Sequence, residues 1–287
     1  MKPILGVDIT EDKENEIING NEFIIQRTPE SSMQAFEKAL DNNFELINKA
    51  KLPLAVRIVK GIFGFAGLVL TLGTVRTWDA EESIIEYYQA IPWIFWVCGA
   101  CIAIWGILEF SARKKAKKII QSDEGDYTKN TLETVVKNIY AEHGVPASAP
   151  ETDILAISYK IKDGEVHPKA RTFESTPFTN LIYKVFSDSE NLYLVNCEAK
   201  YAFPLTGLKA IRTVKKRIML SDWNKDEKHN KGIYKSYKLS VDDHNNVYAK
   251  PYHFLEIEHN GETYGIYFPC YELPVFEEVT GLKAETE

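Results

Sequence analysis

Cysteine is scarce in this chain, four in 287 residues, and glycine and proline are held to 16 and 12. So few cysteines exclude a disulfide-dense secreted scaffold, and that glycine content excludes a collagen-like repeat. Positive charge is also short. Lys and Arg number 34 against 41 Asp and Glu, for a net charge of −7, which gives no overall drive toward nucleic acid. The usual catalytic signatures are missing: no Gly-rich phosphate loop, nucleophile elbow, zincin helix or kinase set occurs. Six histidines, at 143, 167, 229, 244, 253 and 259, are scattered without metal-ligand spacing. No cofactor, no metal and no catalytic residue is expected, although an active site assembled from distant residues would leave no such signature. Aromatic residues, by contrast, make up 12% of the chain, enough to exclude a disordered polymer.

What is present is segregated along the chain. A mean hydropathy of −0.25 and 26% charged residues describe a soluble-looking average. That average hides two apolar runs. From Leu54 to Val75 the only charges are Arg57 and Lys60, both near the start, and from Ile91 to Leu108 there is none before Glu109. A bilayer core takes about 20 helical residues, and both runs reach that length if Arg57 and Lys60 extend toward headgroups. Trp78, Trp93 and Trp96 cluster near one end, where indoles favour the interface. Two buried helices of a soluble core would share the apolar character, but the spans read better as a transmembrane hairpin.

The flanks orient it. Lys49, Lys51, Arg57 and Lys60 precede or open the first run, and Arg113, Lys114, Lys115, Lys117 and Lys118 follow the second. The connecting loop sets Arg76 against Asp79, Glu81, Glu82 and Glu86. Excess Lys and Arg mark the cytoplasmic side, so these residues determine a topology with both termini in the cytoplasm of a multi-pass protein of the inner (plasma) membrane. The first run begins too far along the chain for a cleaved signal peptide.

Four blocks result: 1–52, an N-terminal hairpin and amphipathic helix; 53–110, the transmembrane hairpin; 111–150, a basic juxtamembrane segment, helix and linker; 151–287, a β domain with a C-terminal helix. In the first block Ile17-Ile18 and Phe23-Ile24-Ile25 flank Asn19-Gly20, a tight-turn dipeptide. Thr28-Pro29 can open a helix whose apolar face runs through Met33, Phe36, Leu40, Phe44 and Ile47. In the third, Asn130 with Glu133 forms a capping-box pattern, and the helix should stop at Gly144 ahead of a linker with Pro146 and Pro150.

From 151 the period becomes two. Ile157, Tyr159 and Ile161 lead to Asp163-Gly164; strands are predicted at 180–187, 191–196, 200–205, 210–220 and 233–240; and Leu255 and Ile257 turn at Asn260-Gly261 into Tyr264, Ile266 and Phe268. Leu273, Phe276 and Val279 then follow helical spacing to a Gly281 C-cap. Seven or more strands and one helix predict a small barrel or sandwich plugged by that helix. The stretches Asn191-Leu192-Tyr193-Leu194, Tyr201-Ala202-Phe203-Pro204-Leu205 and Leu208-Lys209-Ala210-Ile211, with the closing Cys270-Tyr271-Glu272-Leu273-Pro274-Val275-Phe276-Glu277-Glu278, resemble bacterial pleckstrin-homology-like (PH-like) domains. Their placement after a two-span hairpin is similar to YcxB-like membrane proteins. The resemblance implies a membrane protein with an α+β cytosolic part and a binding module at the membrane, and no particular activity.

Three features bear on function. Cys98-Gly99-Ala100-Cys101 has redox-like spacing but lies inside the second apolar run, where Gly99 with Ala103, and Gly67 with Thr71, more naturally allow helices to pack. Lys209, Arg212, Lys215, Lys216 and Arg217, joined by Lys225, Lys228 and Lys231, are candidates for lipid or anion binding, or else a solvated strand face. Tyr248, Tyr252, Phe254, Tyr264, Tyr267, Phe268 and Tyr271 either line a partner groove or form core. The reading is a non-enzymatic, membrane-anchored binding or scaffold protein. Its partners are the bilayer and a protein, lipid or small signal or a second copy of the chain, with no nucleic acid. A membrane enzyme acting on a lipid or peptide, and a transporter accessory subunit, are the alternatives.

Overall fold

The computed structural model describes residues 2–8, 20–77, 92–163, 165–172, 182–219, 239–241 and 247–285. Outside them lie Ile17, Ile18, Asn19, Trp78, the acidic loop through Glu86, Gly164, the 233–238 part of one predicted strand, and Lys225, Lys228 and Lys231. The chain forms two compact units, 34–135 and 1–33 with 136–287. The first residues of the chain fold with the last, Lys2 pairing with Tyr264.

Unit 34–135 is helical. Helix α1 (Glu30–Ala50) starts after Pro29, whose carbonyl accepts from the Ser32 and Met33 amides, and extends into this unit. Its buried stripe is Phe36, Ala39, Leu46 and Ala50, whereas Phe44 and Ile47 are exposed. The face predicted from the largest side chains is thus rotated: small alanines occupy the sheltered positions. Helices α2 (Leu54–Thr77) and α3 (Pro92–Ile120) pair antiparallel, and the basic juxtamembrane run 113–118 forms the last part of α3.

Helix α4 (Asp123–Glu142) begins a full two turns before the predicted capping box. Ser122 is its N-cap, accepting the Gly125 amide at 3.2 Å. A Cβ at Gly125 would collide with the Ile120 carbonyl oxygen, so only glycine fits this turn. The helix ends as predicted, at Gly144 with φ of 67°.

The other unit carries sixteen described strands in three sheets. The first has order β1 (Lys2–Pro3), β15 (Glu262–Pro269), β14 (Tyr252–His259), β10 (Leu208–Val214), β16 (Ala284–Glu285). The second has order β3 (Ile24–Arg27), β9 (Ala199–Pro204), β8 (Asn191–Val195), β7 (Ile182–Ser187), β4 (Glu151–Asp153). The third has order β12 (Leu239–Val241), β13 (Val247–Ala249), β11 (Ile218–Met219), β6 (Glu165–Thr172), β5 (Ile157–Lys162), β2 (Gly6–Asp8). The β14–β15 hairpin turns through Asn260 and Gly261 at φ of 51° and 79°, the left-handed pair that a two-residue turn requires. The predicted 210–220 strand is two strands in different sheets, divided at Lys215-Lys216-Arg217.

The meander β7–β8–β9 and the antiparallel strands β10, β14 and β15 share one core that includes Val185, Leu192, Phe203, Ile211, Leu255 and Phe268. Helix α5 (Leu273–Thr280) closes it: Phe276 is fully buried and its ring stacks on Phe268 at 3.9 Å between centroids. Gly281 caps the helix, its amide donating to the Glu277 carbonyl. The first and third sheets are mixed, since β1 and β16 pair parallel to their neighbours in one and β2 and β11 do so in the other, whereas the second is antiparallel throughout. No closed barrel forms among the described residues. Of the predicted barrel or sandwich, the barrel is therefore corrected: the described strands lie in three sheets, and the chain passes from the first into the third between β10 and β11.

Candidate functional site

The α2–α3 pair meets along a seam in which small and polar residues of α2 receive Trp105 and Ile102 of α3. Lys60 is ion-paired with Glu109, which also accepts from Arg113 Nε at 2.8 Å. One turn on, a Cβ at Gly64 would stand 2.8 Å from the Trp105 ring, and one at Gly67 would stand 3.2 Å from Ile102 Cγ1. Thr71 donates to the Gly67 carbonyl at 2.7 Å, and Cys98 Sγ lies 3.1 Å from its hydroxyl. Contact positions 60, 64, 67 and 71 step by four and three along one helix face, as ridge-and-groove packing requires.

Gly67 therefore sits where tight packing was expected, while Gly99 and Ala103 do not face α2. Open space surrounds Gly99, with no atom within 4 Å of where a Cβ would stand, and Ala103 is exposed. Gly64 and the Lys60–Glu109 pair were the seam residues that sequence reasoning missed; the four-three spacing of Lys60, Gly64, Gly67 and Thr71 was the signal.

The outside of the pair is apolar. Phe65, Trp96 and Phe110 are each about 70% exposed, and Ile62, Leu68, Leu72, Trp93 and Ile107 are exposed too. Two stretches, Leu54–Gly73 and Trp93–Ile120, are long and apolar enough to cross a membrane, and only 6% of the most apolar 18 residues of each is buried. Placing such side chains in water forfeits about 1.5–3 kcal/mol for each one.

The two basic clusters differ in their surroundings. On β10, Lys209 pairs with Glu258 at 2.7 Å, and Arg212 pairs with Glu256 and, at 2.9 Å, with Glu285. Arg217 lies 3.5 Å over the Tyr248 ring, and Lys215 and Lys216 are exposed. The β14 and β16 carboxylates thus face the cations of β10 across the sheet. On α3, Lys115 donates to the Lys51 carbonyl, whereas Lys114, Lys117 and Lys118 are exposed. Of the aromatic set, Tyr252, Tyr264, Tyr267 and Phe268 are buried, so core accounts for most of it.

A polar node fixes the helix ends within the sheet unit. Thr28 Oγ1 donates to the Cys197 carbonyl at 2.7 Å and receives His143 Nε2–H at 2.8 Å. His143 is 1% exposed and its Nδ1 has no partner. Burial, reinforced by Lys200, holds the imidazole below its ordinary value, and burial pushes the Cys197 thiol up to about 11. Lys200 donates to the His143 carbonyl and Ser32 donates to Glu142. A small apolar pocket within the core is lined by Ile4, Tyr183, Leu194, Tyr201 and Phe203. Among the described residues no three His, Cys, Asp or Glu side chains are grouped to hold a metal ion.

No family model matches the chain, and neither a curated protein nor a solved structure is significantly similar to it.

Proposed function

We propose that α2 and α3 cross a membrane as a hairpin and anchor the sheet unit on its cytoplasmic side as a non-enzymatic binding module. The observation that carries this reading is the outside of the helix pair: bulky apolar side chains such as Phe65, Leu68, Trp96 and Phe110 are exposed along both helices, while Gly64, Gly67 and the Lys60–Glu109 pair lie at the contact. Lipid is the solvent that makes such a pattern favourable. Lys60, Glu109 and Arg113 fall at the end of the uncharged stretches, where charges reach headgroups and water. The basic end of α3 supports a topology with both termini on the cytoplasmic side of a plasma (inner) membrane.

A β7–β8–β9 meander and the antiparallel strands β10, β14 and β15, packed over one core and closed by a C-terminal helix, support a PH-like reading of this unit and a role in binding a partner at the membrane. Because Lys209 and Arg212 are engaged by carboxylates, a protein partner suits this unit better than an anionic lipid. Affinity capture of the full chain from detergent extracts tests the role. A partner recovered in stoichiometric amount supports a scaffold; a lipid or peptide chemically converted by the purified chain overturns it in favour of an enzyme.

A further inference from the structure

We infer that the exposed face at the end of α3 binds an anionic phospholipid through Lys114, Lys117 and Lys118. The inference rests on the membrane reading of the hairpin and adds the class of lipid it selects. At 100° per residue, Ile107, Phe110, Lys114, Lys117 and Lys118 recur at steps of three and four and occupy one face of the helix. Ile107 and Phe110 are 66% and 70% exposed, so apolar surface passes directly into a cluster of cations. That order, acyl-compatible and then cationic, is the order of a phospholipid from chain to phosphate.

Charge complementarity decides the occupant. The neighbouring Arg113 is held by Glu109 and Lys115 by the Lys51 carbonyl. Among the described residues, no carboxylate pairs with Lys114, Lys117 or Lys118. The cations of β10, which look equally basic in sequence, are matched by Glu256, Glu258 and Glu285 instead. Three unmatched ammonium groups within two turns select a phosphate diester carrying net negative charge over a zwitterionic headgroup, in which the choline cation offsets the phosphate.

The test uses the full chain reconstituted in bilayers of brominated phosphatidylcholine mixed with phosphatidylglycerol, with quenching of the tryptophans reporting which lipid lies against the hairpin. Phosphatidylglycerol is expected to displace phosphatidylcholine with a preference of about fivefold or more, the factor that roughly one lysine supplies. Lys114→Ala/Lys117→Ala/Lys118→Ala should bring that preference close to one. The corresponding triple Arg variant and Lys209→Ala should both retain it. Equal affinity for the two lipids, an unchanged preference in the triple Ala variant, or loss of the preference to inorganic phosphate at constant ionic strength would overturn the inference while leaving the hairpin in the membrane. Absence of quenching by any brominated lipid would instead remove the membrane reading on which it stands.

Discussion

Lys60 on α2 and Glu109 on α3 form an ion pair between two helices that are otherwise uncharged over 61–75 and 92–108. Both side chains are about one quarter exposed, and Arg113 shares the same carboxylate. In a low-dielectric setting, deleting one member leaves the other without compensation. Lys60→Ala should therefore lower the thermal midpoint of the chain in detergent, and Lys60→Glu should lower it further by setting two carboxylates together. Lys60→Glu/Glu109→Lys should regain most of the loss. A double variant no better than the single one would show that the pair is not coupled.

Packing along the seam is equally specific. Gly67→Leu drives a side chain into Ile102 and Cys101 and should cost about 1–3 kcal/mol of hairpin stability, the usual effect of overpacking. Gly99→Leu, with open space around the position, should leave that stability unchanged. Unfolding of the two variants, followed by tryptophan fluorescence, checks the difference.

In the sheet unit the terminal helix is anchored by Phe276, with Leu273, Val275 and Val279 packed beside it. Phe276→Ala removes the partner that stacks on Phe268 at an interplanar angle of 10° and should destabilise that unit by about 3–5 kcal/mol, as for a buried aromatic cut to alanine. Amide exchange over 182–285 is the readout.

Acid should loosen the same unit through its buried histidines. His143 and His253 are both held below the ordinary value of 6.5, each chiefly by burial. Above about 6.5 they are neutral folded or unfolded and impose no pH dependence. As pH falls through that value the unfolded chain takes up protons that the folded chain does not, so stability declines until the folded imidazoles titrate. The lowered carboxyl groups of Asp188, Glu262 and Glu277 act in the same direction only below the ordinary carboxylate range. Amide protection near Thr28 and Cys197, with exchange rates referred to the intrinsic rate at each pH, should fall as pH drops below about 6.5, the ordinary histidine value, and His143→Gln should reduce the effect.

Local patterns in the sequence account for much of this fold. Alternating apolar residues marked β5, β7, β8, β9, β14 and β15, and Asn260-Gly261 marked its hairpin, because period and positive φ are set by neighbours in the chain. Pairings between distant segments left no such trace: Lys2 with Tyr264, Gly6 with Ile157 and Ile24 with Tyr201 bring the N-terminal residues into all three sheets. Ser122 ahead of Asp123 and Glu124 was a readable N-cap, but the stronger-looking Asn130/Glu133 pattern lies inside the helix, where a cap has no free amides to satisfy. Likewise the two basic clusters are indistinguishable as sequence, since Glu256, Glu258 and Glu285 reach β10 only through strand pairing.

The spanning hairpin is tested most directly by paired cysteine labelling in sealed cells, with Ser83→Cys in the loop between the helices and Lys118→Cys at the end of α3, each in a chain whose four native cysteines are alanine. A membrane-impermeant maleimide should modify the Ser83 position from outside and the Lys118 position only after permeabilisation. Modification of both positions from the same side would contradict a hairpin that crosses the membrane.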